Sequence, residues 1–191
     1  GAGVPDVLVR FFEDGAGEIA GVLTDSDGNY ERYNLNEGTY RVKFEPPFAS
    51  PLKAEWYDDK QGKPEADAVT LAPGEKKTGV DATLSADGAP QVLWVNPDQG
   101  MDTQSLDDVF IYGSGFTRDG YTLPRVILMR EGQSWNEARD VVLIDSNSLT
   151  CDLNLIGEAA GPWDVVVVNP NGQGGRMEDG FTVVHKPQPP T

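Results

Sequence analysis

The chain is poor in the residues that build metal and nucleophile chemistry. Its 191 residues hold one cysteine and one histidine. A lone Cys151 excludes an internal disulfide. Together with a lone His185 it also falls short of a zinc site, which draws on several Cys or His ligands. A Ser-His-Asp or Cys-His arrangement would have to use a histidine six residues from the C-terminus, so no catalytic residue, metal or cofactor is expected. Positive charge is scarce as well: 15 Lys+Arg against 31 Asp+Glu give −16. Nucleic acid and acidic membrane surfaces would be repelled at long range, so neither is expected as a partner. No apolar run approaches the roughly 18 residues of a membrane span, and no stretch reads as a signal peptide. No segment holds an apolar period of 3.6 over three turns, which leaves little room for helix.

Backbone punctuation, by contrast, is abundant. Gly 22 and Pro 14 together mark about one residue in five, the pattern of many turns and short strands. Ser85-Ala-Asp-Gly-Ala-Pro90 is the clearest break, giving domains at 1–87 and 88–185 and a Pro-rich tail at 186–191. The first half carries 17 acids and 9 bases and the second 14 and 6, so each bears −8 and neither is a basic arm.

The first half predicts strands at 7–12, 18–24, 30–35 and 39–44, with weaker ones at 52–57, 67–72 and 79–84. In the strand over 39–44, Tyr40, Val42 and Phe44 share one face. The second half predicts seven more, at 91–96, 108–112, 125–130, 140–145, 148–155, 163–169 and 181–184. The four valines Val165–Val168 suit a strand covered on both faces. Seven short strands at this spacing fit an immunoglobulin-like sandwich.

Four marks in the second half stand in order: Pro90-x-Val92-x-x-Val95-x-Pro97, Ile111-x-Gly113-x-Gly115-Phe116, Asp164-Val165-x-Val167-x-Asn169-Pro170-x-Gly172, and Gly180-Phe181-x-Val183. On these marks residues 90–184 resemble an IPT/TIG domain, an immunoglobulin-like module. The first half carries Thr24-Asp25-x-Asp27-Gly28-x-Tyr30, Leu35-x-x-Gly38-x-Tyr40-x-Val42, Glu55-x-Tyr57-Asp58-Asp59 and Gly79-Val80-Asp81-Ala82-x-Leu84. On these, residues 4–84 resemble the carboxypeptidase-regulatory-like or collagen-adhesin B-type sandwich, which is prealbumin-like. The resemblances imply an all-β protein of two tandem β-sandwiches. Relatives of the first module open with a further strand, whose absence here would leave 7–12 as an open edge. Some of those relatives carry a Lys–Asn or Lys–Asp isopeptide bond, but no lysine precedes Lys43 and none is expected here.

Candidate sites are few. Asp25-Ser-Asp-Gly28 imitates the start of a calcium loop, but no Glu closes it at the required spacing, and a capped turn explains it better. Trp56, Tyr57, Asp58 and Asp59 combine aromatics with acids, the ingredients of a sugar site, although core packing is the plainer account. Trp135, in the polar stretch Glu131–Asn136, is the tryptophan expected to be exposed, whereas Trp94 and Trp163 lie inside strands and read as core. Cys151 alternates with Leu149, Leu153 and Leu155 and reads as a buried, inert thiol. The adjacent pairs Asp58-Asp59 and Asp107-Asp108 would point to opposite faces of a strand and make poor proton-sharing dyads.

The resemblances imply a non-catalytic, extracellular or cell-surface module pair for spacing, adhesion, or interaction with a protein or glycan partner. Two alternatives follow. One is a carbohydrate-binding accessory module of a larger secreted enzyme, anchored on Trp135 and Trp56. The other is a filament or tube subunit joined to a second copy by strand pairing, with 181–185 and the tail as donor and the open edge at 7–12 as acceptor.

Overall fold

The computed structural model describes residues 3–186. All regular structure there is β, in fourteen strands and three sheets, and no described helix is long and apolar enough to cross a membrane. The chain divides into two compact units: Gly1–Phe48 with Leu52–Asp87, and Ala49–Pro51 with Gly88–Thr191. The tail at 187–191 lies outside the described residues.

The first unit is built on one sheet. Its strands are β1 (Leu8–Glu13), β2 (Gly17–Leu23), β3 (Gly38–Glu45), β4 (Glu55–Trp56) and β5 (Val69–Leu71), in the order β2-β1-β3-β4, with β5 also on β3. The period-two pattern does what it promises: Val7, Val9 and Phe11 meet Tyr40, Val42 and Phe44 on one buried face. On the opposite face Phe12 packs against Trp56 at 5.0 Å, and Arg10 pairs with Glu18 at 2.7 Å and with Glu45.

Two expectations fail in this unit. Strand β1 is no edge: β2 and β3 flank it on either side, because the turn at 14–16 folds the chain into a hairpin that fills the place of an opening strand. The stretches 30–35 and 79–84 are not strands. Tyr30, Leu35, Val80, Ala82 and Leu84 do pack onto the core face, but residues 30–37 and 76–84 make no backbone–backbone hydrogen bond among the described residues.

The second unit holds two sheets. One is ordered β11 (Arg139–Asp145), β12 (Ser148–Asn154), β8 (Ser105–Ser114), β6 (Gln91–Asn96). The other is ordered β10 (Asn136–Glu137), β9 (Arg125–Met129), β13 (Gly161–Val168), β14 (Gly174–Val184), β7 (Gln99–Met101). Both contribute to one core, in which Val95, Ile111, Leu149 and Cys151 from the first sheet join Leu128, Trp163, Val165 and Phe181 from the second. The arrangement is sandwich-like. Strand β13 is covered on both faces, Val165 and Val167 inward and Val166 and Val168 outward with Ile127. Residues 181–184 end the eleven-residue β14, held antiparallel to β13 and parallel to β7. The segment nominated as a strand donor is therefore already paired within its own sheet.

Glycine is required where the backbone turns against it. A Cβ on Gly113 would meet the Gln91 carbonyl oxygen at 1.8 Å, and Gly115 has φ +72. Phe116 then drops into the core, while Asn169 ties the turn down by accepting from the Thr117 amide at 3.1 Å and donating to the Gly115 carbonyl at 2.8 Å. The Asn169–Gly172 turn closes with the Gly172 amide donating to the Asn169 carbonyl at 2.9 Å.

Candidate functional site

The residues nominated from sequence do not come together. Trp56 is 9% exposed. Its ring lies against Phe12 with the Lys43 ammonium 5.9 Å from its centroid, so it is a packing residue and presents no open platform. Tyr57 packs against the core of the first unit, and its hydroxyl donates to the Gly79 carbonyl at 3.4 Å. Asp58 and Asp59 occupy a tight turn, not a strand, with φ of 62° and 56°; Trp56 and Lys60 bond across it in both directions. The loop between the bonded pair is three residues long, Tyr57 to Asp59, and its last two take the left-handed φ that tight hairpin loops use. Asp58 meets Lys60 at 3.2 Å, and Asp59 accepts from the Thr83 amide at 3.3 Å, so both acids are occupied in the turn.

Trp135 lies in the β9–β10 connection of the second unit and is 52% exposed; the strands it joins belong to a different sheet from β6, which carries the other exposed tryptophan, Trp94. The Asp25 side chain accepts from the amides of Asp27 at 2.9 Å and Asn29 at 2.8 Å, which caps the turn and draws the carboxyl below its ordinary value. No group of three or more His, Cys, Asp or Glu among the described residues is placed to hold a metal ion. Cys151 is buried, and desolvation, with Asp152 nearby, pushes its thiol up to about 12.

The surface that stands out is one that sequence reasoning assigned to the core. Trp94 is 52% exposed. A bulge between Val92 and Trp94 resets the alternation of β6, so Val92 and Val95 both face inward while Leu93 and Trp94 both face out. On β8, Val109 and Ile111 enter the core and Phe110 and Tyr112 take the outer face. Register then fixes two rows. Val142, Thr150, Phe110 and Asn96 lie across the sheet in one; Ser148, Tyr112 and Trp94 lie across it in the next. Trp94 and Tyr112 stack at 4.9 Å with planes 22° apart, and Phe110 lies 6.0 Å from Tyr112 with planes 13° apart. Val142 and the neighbouring Ile144, both on β11, are more than half exposed and extend the apolar face. Three near-parallel rings flanked by aliphatics make a sheet face of the kind used for contact rather than catalysis.

Two signals in the sequence could have located this face. The spacing of three between Val92 and Val95 is incompatible with simple alternation, so Trp94 could not share their side. In Val109-Phe-Ile-Tyr112 every residue is apolar, so whichever pair is buried, the other is presented outward. Another exposed aromatic, Tyr121, tops a two-residue hairpin in which the Asp119 and Thr122 backbones bond each other and Gly120 supplies φ +56.

Fold and surface together define an all-β, sandwich-like protein with an outward aromatic sheet face. No protein-family model matches the chain, and no curated protein matches it.

Proposed function

We propose that the chain is a non-catalytic pair of extracellular or cell-surface modules, a prealbumin-like unit followed by an IPT/TIG-like unit, that spaces and docks a protein partner. The ordered glycine, proline and apolar marks of the two halves support the module types. The observation that carries the docking reading is the outward cluster of Trp94, Tyr112 and Phe110 with Val142 and Ile144 on one sheet. The rings stack on one another, so they offer edges and a shared apolar surface more than open faces. A sugar platform needs open faces, whereas a protein partner can bury edges and aliphatics alike. The chemistry of the one thiol supports a non-catalytic role: Cys151 is buried and desolvated in the core.

The test is a photo-crosslinking residue at Val142 in the full chain, exposed to the surface proteins of the producing cell. The expected result is a discrete protein adduct that is lost when Trp94→Ser and Tyr112→Ser are introduced, with folding unchanged by circular dichroism. Binding of soluble glycans that quenches Trp94 fluorescence, with no protein adduct, would replace the protein partner by a sugar.

A further inference from the structure

The core face of the first unit is covered by side chains but not by a second sheet. Two extended segments, 30–35 and 78–84, run over it. Val80, Ala82 and Leu84 turn inward at a spacing of two, the side-chain pattern of a strand. Among the described residues their backbones make no ladder. In place of one, single side chains serve a few groups: Tyr30 donates to the Val80 carbonyl, Tyr57 to the Gly79 carbonyl, and Thr83 donates its amide to Asp59. Between the segments lies a cleft of about 470 Å³, floored by Phe11, Tyr40, Val42 and Val69. A second cleft of about 520 Å³, floored by Val7 and Phe44, meets it at Gly28, Tyr30 and Asp81. Together they form a trough along the sheet, crossed by the Tyr30 ring.

We propose that this trough is an acceptor for an extended strand from another protein, which pairs with the backbone of 78–84. Rows of unpaired donors and acceptors on an apolar floor are what an added strand satisfies: main-chain bonds hold it, and alternate side chains fill the floor. Charge defines the occupant. Along the rim Glu31 pairs with Lys76 at 3.3 Å and Glu75 with Lys77 at 3.6 Å, so the buried run of the guest is uncharged. The first 87 residues carry 17 acids and 9 bases, −8 in all, so basic flanks on the guest are drawn in. A second copy of this chain is disfavoured because both would carry −16. The inference is independent of the aromatic face on the second unit.

The probe is a synthetic peptide of about nine residues, roughly 30 Å when extended, alternating valine and threonine between terminal lysines. It is titrated into the full, isotope-labelled chain and followed by backbone amide shifts and cross-strand proton contacts. The expected result is saturable shifts in 30–35, in 78–84 and in the floor residues on β1, β3 and β5, with peptide-to-chain contacts along 78–84. Methylating alternate peptide nitrogens removes its donors and leaves the protein untouched; binding should weaken by at least about tenfold. Shifts along β2 or β4 instead, affinity indifferent to methylation, or no shifts at millimolar peptide would each overturn the proposal.

Discussion

The two units solve the same problem differently. In the second, two laddered sheets bury each other, with Phe116 and Leu155 added to the shared core from the connections. In the first, a five-stranded sheet is covered by chain that has the side-chain pattern of strands without their hydrogen bonds. Burying apolar surface and pairing backbone are separable, and a core can be assembled by the first alone. What remains is a layer held by packing and a few tyrosine hydroxyls, open to a competing strand.

Substitutions in the two cores test that contrast, starting with the largest effect. Trp163 is fully buried in the second unit, with its indole N–H donating to the Ala159 carbonyl at 2.9 Å. Trp163→Ala should cost about 3–5 kcal/mol in denaturant unfolding. Leu84→Ala, in the covering layer of the first unit, should cost only about 1 kcal/mol, because that side chain is half-buried and its surroundings can close over the gap. Equal losses would erase the distinction.

Glu55 gives an effect of similar size that depends on pH. It is 6% exposed, and one of its carboxylate oxygens has no hydrogen-bond partner. Burial first, then the Asp59 carboxylate, raise its pKa, against the pull of Lys53 and the Thr83 amide. The folded state therefore holds this proton more tightly than the unfolded one does. Its contribution to stability is complete below the unfolded value of about 4.3 and is lost as pH rises through the folded value. Glu55→Gln should be the more stable protein at pH 7 by about 1 kcal/mol, the order of an unpaired buried polar group. The gap in Tm should close as the pH falls toward about 4. A gap constant with pH would mean that the carboxyl stays charged. Smallest of all, Asp58→Gly should change stability by no more than about 0.5 kcal/mol, because its φ of 62° suits glycine. Asp58→Val should cost about 1–2 kcal/mol at the same place.

Much of this fold was legible because period-two patterns carry their own proof. Strands β1, β3, β8, β12 and β13 fall where alternation or a continuous apolar run puts them, and Cys151 is buried on the face its leucine neighbours indicated. Pattern does not report pairing. Val80, Ala82 and Leu84 alternate as a strand does, yet they lie over a sheet to which their backbone is not bonded. Nor does it report bulges, and one extra residue in β6 carried Trp94 from the expected core to the surface. The aromatic face was written in Val109–Tyr112 but hidden because Trp94, inside a strand, reads as core. Short strands such as β7 and β10, three and two residues long, are set by their neighbours and carry too little sequence to be read.

Native-state amide hydrogen exchange on the full chain tests the central contrast most directly. Amides of β8 and β13 should exchange only through global unfolding, whereas those of 78–84 should exchange near the rate of open chain, with Thr83 alone slowed by its bond to Asp59. Alternating protection all along 78–84, matching that in β13, would show that the first unit has a second paired layer after all and would contradict the account.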